Sequence, residues 1–519
     1  IHSIENELEL SNIFQKYPDF IESVELVKNA INKKENICIL GDYDVDGSAA
    51  TSLLVKFFEY LKHPYFYYIP NRIKDGYGAS IALFKKLISK KPKLVIMVDC
   101  GSTSFEAVKY LNDNNIKSLI IDHHEINKPY PKANKIINPK KNNGYSEYDY
   151  LCATSLTYFF LELLKKEMKC KINLRQYLIY VLLATVCDVM PLRKLNRLIS
   201  IIALKEFNFN DNYMFSKLYE LSNKKNKINI NDLGYLIGPI LNAGGRLGKS
   251  NYATELLSTK DLNIINQRSL ELFTLNKKRK KLESLVMSNI NFEKLENDNE
   301  DVILFYDPEI NEGLIGIIAA RLKEYFNKPS IVITNSNNLL KGSARSIPDY
   351  NIGITIKCLL DENIILNGGG HNMAAGFTLK KKNLTKFKKF ILNDYSKKKV
   401  VINNFFNYDY EISSKAFNST FYDDLKKIEP FGIGNPAPIF LLKELKVIKS
   451  SILNNKHISC ILKSRIGSSL NSISFDSLNT NIGKYLLNYK KSFSVIGQIN
   501  ENFWNNKKTL QLIIKDLIL

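Results

Sequence analysis

The chain has 519 residues, enough for more than one hydrophobic core, so two to four domains are expected. Hydrophobic residues make up 45% and charged residues 24%, the balance of a soluble globular protein, and no apolar run reaches the roughly 18 residues that a membrane helix needs. The formal net charge of +21 points to a polyanionic partner such as nucleic acid, but an AT-rich coding sequence would impose the same wealth of Lys, Asn and Ile, so charge alone leaves the question even.

The first ten residues carry Glu5, Glu7 and Glu9 and lack the basic start and apolar middle of a secretory signal. The seven cysteines (Cys38, Cys100, Cys152, Cys170, Cys187, Cys358 and Cys460) are odd in number, scattered and never spaced C-x-x-C. Both features predict a reducing, cytoplasmic location, with no disulfides, no zinc site and no membrane.

Residues 36–198 alternate short apolar strands with amphipathic stretches, the pattern of a parallel α/β sheet. Strands are predicted at 37–40, 65–69, 94–98 and 118–121, and three of the four run into acids: Asp42, Asp99 and Asp122. Ligands bind at the carboxyl ends of strands in open α/β sheets, which draws these acids to one edge. A helical region follows over 151–257, with a buried helix at 177–187. Residues 259–295 contain neither Pro nor Gly and predict one long connecting helix, on which Lys277-Lys-Arg-Lys-Lys281 reads as a solvated face. A second α/β unit has strands at 302–306 and 330–334 around a helix at 313–326, ends near Tyr395, and meets the next segment around 397–404. From Tyr408 onward, short alternating strands at 446–449, 457–462, 492–496 and 510–514 predict a small β-barrel. The expected architecture is α/β: a parallel-sheet domain over 1–258, a connecting helix over 259–298, a second α/β domain over 299–400 and a β-barrel over 401–519.

The strongest local signal is Gly41-Asp-Tyr-Asp-Val-Asp-Gly47, directly after a strand and before a helical stretch at 48–61. Alternation would let Asp42, Asp44 and Asp46 share one locus. An EF-hand loop begins in the same way, but its twelfth position here is Leu53 where a bidentate Glu is required, and a strand precedes it where a helix is required. Val98-Asp-Cys-Gly101 and Asp122-His-His-Glu125 add acids and imidazoles at strand ends, and Asp188 follows the apolar run. Carboxylates gathered without a cation repel one another, so this composition makes sense mainly as a cage for Mn²⁺ or Mg²⁺.

The order D-x-D, strand-end Asp, D-H-H, downstream Asp resembles the DHH phosphoesterase superfamily. That resemblance implies Asp44, Asp46, Asp99, His123 and Asp188 as ligands of two divalent metal ions, with His124 contacting the substrate phosphate or positioning water. Asp42 is a further candidate, because relatives place a ligand just upstream of D-x-D at a position that varies. Two such ions together acidify water and neutralise charge on the attacking and leaving oxygens of a phosphoester. The pair Gly342-Ser-Ala-Arg-Ser346 and Gly368-Gly-Gly-His-Asn-Met-Ala-Ala-Gly-Phe377 reads as glycine-rich turns with donors and resembles the DHHA1 domain; it implies Ser343, Arg345, Gly369, Gly370 and His371 as substrate contacts.

Pro70-Asn-Arg-Ile-Lys-Asp-Gly-Tyr-Gly78, Leu241-Asn-Ala-Gly-Gly-Arg-Leu247 and Glu429-Pro-Phe-Gly-Ile-Gly-Asn-Pro436 resemble segments of the RecJ family, in that family's order. With the other motifs they span almost the whole chain. The resemblance implies an OB-fold for the barrel, with Phe503 and Trp504 as candidates for base stacking or for core packing. It also implies 5′-to-3′ hydrolysis of single-stranded DNA to mononucleotides, and Arg72, Arg246 or Arg345 could receive a terminal phosphate. A helicase and a single-strand-binding protein are candidate partners. Leu151-Cys-Ala-Thr-Ser155 stands where a more glycine-rich turn is usual, and Asn311-Glu312 replaces a His-Pro-like pair. The alternatives are a DHH enzyme for short oligonucleotides or cyclic dinucleotides, a pyrophosphatase, and a non-catalytic nucleic-acid scaffold, which would lose ligands that are all present here.

Overall fold

The apolar runs that bracket the acids form a sheet with one more strand than predicted. A computed structural model of the chain describes residues 10, 13–71, 75, 78–141, 144–298, 300–336, 338–398, 407–465, 469–488, 491–504 and 507–519. Strands β1 (Ile37–Leu40), β2 (Tyr65–Tyr68), β3 (Leu94–Val98), β4 (Lys117–Ile121) and β5 (Lys135–Ile137) pair in parallel in the order β2-β1-β3-β4-β5. β1 and β3 are buried at every position, as a parallel sheet covered on both faces requires. Leu83, Phe84, Val108 and Leu111 of the helices Ile81–Leu87 and Phe105–Asp113 cover one face against Cys38, Leu40, Val95 and Met97. Helices α1 (Val45–Leu61) and α2 (Ala153–Glu167) pack on each other and on the sheet. The chain leaves β1 toward β2 and leaves β3 in the opposite sense, so the carboxyl ends of these two adjacent strands form the crevice in which such sheets bind ligands.

Helix α3 (Leu178–Cys187) is buried from Leu178 to Thr185. Helix α4 (Gly238–Arg246) leads through a short helix to α5 (Leu262–Asn289), which begins where the Asp261 carboxylate accepts the amides of Asn263 and Ile264. The single helix expected over 259–295 is in two pieces: the chain becomes extended at Ile290, and Asn291 caps a separate helix, Phe292–Asn297. The lysines of the basic run are exposed as expected, but Arg279 is buried, paired with Glu283 at 2.9 Å.

A second, mixed sheet contains β6 (Ile303–Tyr306), β7 (Ser330–Ser336), β8 (Leu339–Arg345), β9 (Asn367–His371) and β10 (Ala374–Leu379), ordered β6-β7-β8-β10-β9. Only β6 and β7 are parallel. The two glycine motifs read as turns therefore lie on strands. Gly342 has a packing reason: a Cβ there would stand 2.0 Å from the Phe377 ring. Ser11–Met190 and Glu206–Ile402 form one compact unit that holds both sheets.

The other compact unit comprises Ile1–Leu10, Pro191–Lys205 and Asn403–Leu519. Its sheet joins β11 (Tyr410–Glu411), β12 (Phe440–Leu453), β13 (His457–Lys463), β14 (Leu470–Ser474), β15 (Phe493–Trp504) and β16 (Lys507–Ile518). Pairing of β12 with both β13 and β15 closes the ring β12-β13-β14-β16-β15, a five-stranded OB-fold barrel around Leu442, Leu445, Ile458, Leu462, Val495 and Leu512. The side chains of Phe503 and Trp504, and most of the junction expected at 397–404, lie outside the described residues.

Candidate metal centre and substrate cradle

The acidic loop after β1 is shaped by close backbone packing. A Cβ on Gly47 would stand 2.6 Å from the Asp42 nitrogen, so the loop can fold back over Asp42 only with glycine at that position. Asp44 caps α1 by accepting the Gly47 amide at 3.0 Å. The helix thus starts at Val45, three residues before the expected 48, and this breaks the alternation that would have aligned Asp42, Asp44 and Asp46. Asp42 and Asp44 group with Asp99, whereas Asp46 groups with His123 and Asp188. Both oxygens of Asp46 accept amides at the N-terminus of α2, from Ala153 at 2.7 Å and Thr154 at 2.8 Å. The unusual turn at 151–155 therefore supplies the donors that orient a candidate ligand.

Asp99 ends β3 with φ +58, a left-handed conformation that Asp tolerates better than most residues. Its Oδ1 lies 3.3 Å from Nε2 of His123 and 3.7 Å from Nδ1 of His124. Asp188, just past α3, brings Oδ2 to 3.4 Å from the same His123 nitrogen, and Asp46 Oδ2 lies 3.7 Å away. One imidazole nitrogen faces three carboxylates. Asp99 belongs both to the group with Asp42 and Asp44 and to a group with His123 and His124.

Burial, followed by the charges of Asp46, Asp44, Asp42 and Asp188, pushes the Asp99 carboxyl well above the usual range. Burial and the neighbouring Asp46 and Asp44 do the same to Asp188, and burial with Asp46 raises Asp44. Burial lowers His123 to about 4, which leaves it neutral, the form that binds metals. Asp99 Oδ1 and both ring nitrogens of His123 are buried without a hydrogen-bond partner among the described residues. Orphaned polar atoms inside a set of mutually repelling carboxylates are what a cation site leaves when its own residues are counted alone, so the ligand set fits divalent ions of the Mn²⁺ or Mg²⁺ kind.

Asp122, noted in the sequence only as a strand-end acid, orients the imidazoles. It accepts the amides of His123 at 2.8 Å, His124 at 3.2 Å and Ser102 at 3.1 Å, and pairs with His124 Nδ1 at 2.7 Å. Burial disfavours its charge, but the His124 bond and both imidazoles hold its carboxyl below the usual range. The same bond raises His124 to about 9 against the opposing effect of burial. Asn138, at the end of β5, donates to the His124 carbonyl and the Ser102 hydroxyl, each at 2.9 Å. A three-residue strand carries too little pattern to have revealed Asn138 in the sequence.

Among the candidate substrate contacts, β10 lies between β8 and β9, and Ala374 pairs with both Arg345 and His371, so these two share one end of the second sheet. The ring of His371 lies 6.1 Å from that of His124, centroid to centroid, which carries the second sheet to the acidic cluster. Arg345 donates to the hydroxyl of the buried Ser343 at 3.3 Å and to the Ala344 carbonyl at 2.9 Å. A Cβ on Gly370 would meet the Ala374 carbonyl at 2.3 Å, whereas one on Gly369 would meet nothing within 4 Å. Arg246 sits at a joint: its guanidinium reaches the Gly313 carbonyl at 3.4 Å, and a Cβ on Gly313 would stand 2.1 Å from the Arg246 carbonyl oxygen. Glu312, from the departing Asn311-Glu312 pair, accepts from Lys341 and Ser336, each at 2.8 Å. Arg72 lies outside the described residues. Beside the cluster, a cavity of about 700 Å³ opens between residues 78–81 and 100–107 at the carboxyl edge of the first sheet.

Family models match the chain in order: the DHH family N-terminal domain over residues 36–185, the DHHA1 domain over 299–397 and the RecJ OB domain over 408–516. In the identity and order of these domains the chain is similar to RecJ exonucleases. Relatives include the single-stranded-DNA-specific exonuclease RecJ of Bacillus subtilis, 28% identical, with the match covering 95% of this chain and 63% of that protein. The protein of that name from Haemophilus influenzae is also 28% identical, over 95% of this chain and 89% of the relative. The fold is similar to the crystal structure of Thermus thermophilus RecJ in complex with Mn²⁺, with TM-score 0.82 and 23% identity over 98% of this chain and 73% of that one. A structure of exonuclease RecJ bound to manganese matches with TM-score 0.63 and 25% identity, over 75% of this chain and 96% of that one.

The RecJ-type segments have visible packing duties. Residues 241–247 carry Arg246 to the Gly313 joint. Within the barrel-bearing unit, the carbonyls of Ile428 and Glu429 accept from Arg197, and the Ile433 carbonyl accepts the Leu192 amide at 2.6 Å. A Cβ on Gly432 would stand 2.7 Å from Leu192 Cδ1, so the 429–436 motif seats the segment that follows Asp188.

Proposed function

We propose that the chain is an exonuclease that hydrolyses single-stranded DNA from its 5′ end to mononucleotides, using two divalent ions, Mn²⁺ or Mg²⁺. The observation that carries this reading is the sharing of Asp99 between two groups of candidate ligands at the crevice of β1 and β3. Asp42, Asp44 and Asp99 would hold one ion, and Asp46, Asp99, His123 and Asp188 the other. Such ions supply charge neutralisation at phosphorus and an acidified water. His124, positively charged because Asp122 holds it, presents its remaining ring nitrogen as a donor toward a phosphate oxygen. His371, Arg345, Ser343 and the open backbone at Gly369 hold the strand from the other side. The OB-fold and the net charge of +21 favour a single-stranded polymer over a dinucleotide. A terminal 5′ phosphate would find its donors among Arg72, Arg246 and Arg345.

A helicase that delivers single strands and a single-strand-binding protein that keeps them open are the partners this activity calls for. Among the described residues no helix is long and apolar enough to cross a membrane. All seven cysteines are unpaired thiols, which suits the cytoplasm.

The test uses end-labelled single-stranded DNA, duplex DNA and a dinucleotide, each with Mn²⁺ or Mg²⁺, and products resolved by length. Mononucleotides are expected from the single strand in preference to the other two. Asp99→Ala is expected to lower the rate more than about 100-fold while far-UV circular dichroism stays that of the parent. Preference for the dinucleotide, or near-parental turnover by the variant, overturns the reading.

A further inference from the structure

β5 leads directly into the fully buried Asn138, whose Oδ1 accepts the amide of Lys140 at 2.9 Å while its side-chain nitrogen donates to the His124 carbonyl and the Ser102 hydroxyl. This network fixes the backbone of Lys140 at the carboxyl edge of the parallel sheet. The Lys140 ammonium meets Glu125 Oε1 at 2.9 Å, and that same oxygen lies 4.0 Å from Nδ1 of His371 on the second sheet. One carboxylate oxygen therefore stands between a lysine from one lobe and a histidine from the other, beside the acidic cluster.

The Glu125 side chain is 59% exposed and that of Lys140 24%, and an ion pair with one partner open to solvent contributes only about 0–1 kcal/mol, so stability does not explain the arrangement. On β9, Gly369 faces the same way as His371, and the open space at its Cβ position leaves room for a chain to pass beside the imidazole.

We propose that Lys140 and His371 clamp one backbone phosphate of the substrate strand, and that Glu125 holds the place of that phosphate until the strand displaces it. The clamp rests on the exonuclease reading above. A carboxylate oxygen held by an ammonium at 2.9 Å, with an imidazole nitrogen 4.0 Å away, matches a non-bridging phosphate oxygen in charge and in place. Replacing a screened surface pair by a phosphate costs little, and the arriving phosphate releases its counterions. Because one donor follows the last strand of the first sheet and the other lies on the second sheet, a strand held by both is registered over the acidic cluster.

Steady-state hydrolysis of a single-stranded oligonucleotide by the full chain in Mn²⁺, measured across a salt series, tests this. Lys140→Gln should raise KM about 10-fold with kcat changed less than about threefold, and should reduce the slope of log KM against log salt by about 0.7, the value for one lost phosphate contact on a single strand. Lys140→Arg should restore both, and Glu125→Gln, which removes the competing charge, should lower KM. Parental KM and salt slope in Lys140→Gln overturn the clamp, and a parental or raised KM in Glu125→Gln overturns the displacement by phosphate. Absence of hydrolysis by the parent chain would instead overturn the exonuclease reading.

Discussion

At the scale of single residues, Asp99 concentrates several unfavourable conditions: it is buried, its neighbours are carboxylates, and its backbone is left-handed. Such conditions persist where the surrounding structure holds them for a purpose, and a pair of cations is the purpose that removes the repulsion. The metal-free protein should therefore reveal the repulsion through its pH dependence. His124 is raised to about 9 against burial, by Asp122 and the acids around it. A histidine raised in the fold contributes stability that is fully present below its unfolded value of about 6.5 and is lost as pH rises through the folded value. Asp99 and Asp188, raised first by burial and then by their neighbours, act with the same sign, because the folded chain binds their protons more tightly than the unfolded chain does. Thermal unfolding in a chelator should accordingly show Tm falling from pH 7 to pH 9, and saturating Mn²⁺ should flatten the fall. A metal-free Tm that rises across that window contradicts the electrostatic picture of the cluster.

At the scale of elements, the site was legible wherever one short pattern sufficed. The apolar runs of β1, β3 and β4 end at Asp42, Asp99 and Asp122, so the edge that carries the chemistry could be read directly. The partition among ligands could not, because the start of α1 depends on the Asp44 cap, and that cap sends Asp46 to a different group from Asp42 and Asp44. The glycine motifs were read as turns since glycine carries no strand signal; cross-strand pairing with β10 and the Phe377 ring over Gly342 decide otherwise. Arg279 looked solvated in the sequence and is buried; its own partners Asn276 and Glu283 are helix neighbours, but Glu283 is also held at 2.9 Å by Arg321 from the helix Ile315–Phe326, a tertiary contact that no local window contains. The meeting of α4 with the segment ahead of the helix Ile315–Phe326 is of the same kind. Gly313→Ala would place a Cβ 2.1 Å from a backbone oxygen that no rotamer can move. The expected cost is about 1–3 kcal/mol of stability, read as a lower urea midpoint. Mn²⁺ affinity should stay parental, since the candidate ligands lie between Asp42 and Asp188. A parental urea midpoint would show that the joint is looser than the packing implies.

At the scale of the molecule, the chain passes from one compact unit to the other between Met190 and Pro191, two residues after the last candidate ligand. Val189 lies at that passage with φ +59, an unfavourable backbone for a β-branched residue, and its side chain is largely exposed. Three backbone hydrogen bonds hold the turn: the amide of Asp188 donates to the Ala184 carbonyl at 2.9 Å, that of Val189 to Val186 at 3.2 Å and that of Met190 to Thr185 at 2.9 Å. Without cations, Asp188 is repelled by Asp46 and Asp44, and that repulsion favours opening of these bonds. Were Asp188 to ligate a cation, the same carboxylate would tether the turn, and opening it would also require that bond to break. Ligand binding stabilises what it binds by RT ln(1 + [L]/Kd), about 2.7 kcal/mol at 100 times Kd. Hydrogen exchange read by mass spectrometry should therefore slow at the amides of Asp188, Val189 and Met190 by at least about tenfold when Mn²⁺ is added, while strands β12 to β16 keep their rates. Unchanged exchange at these three amides, under conditions where Mn²⁺ slows exchange around Asp99 and His123, would remove Asp188 from the ligand set and leave the passage between units independent of the metal.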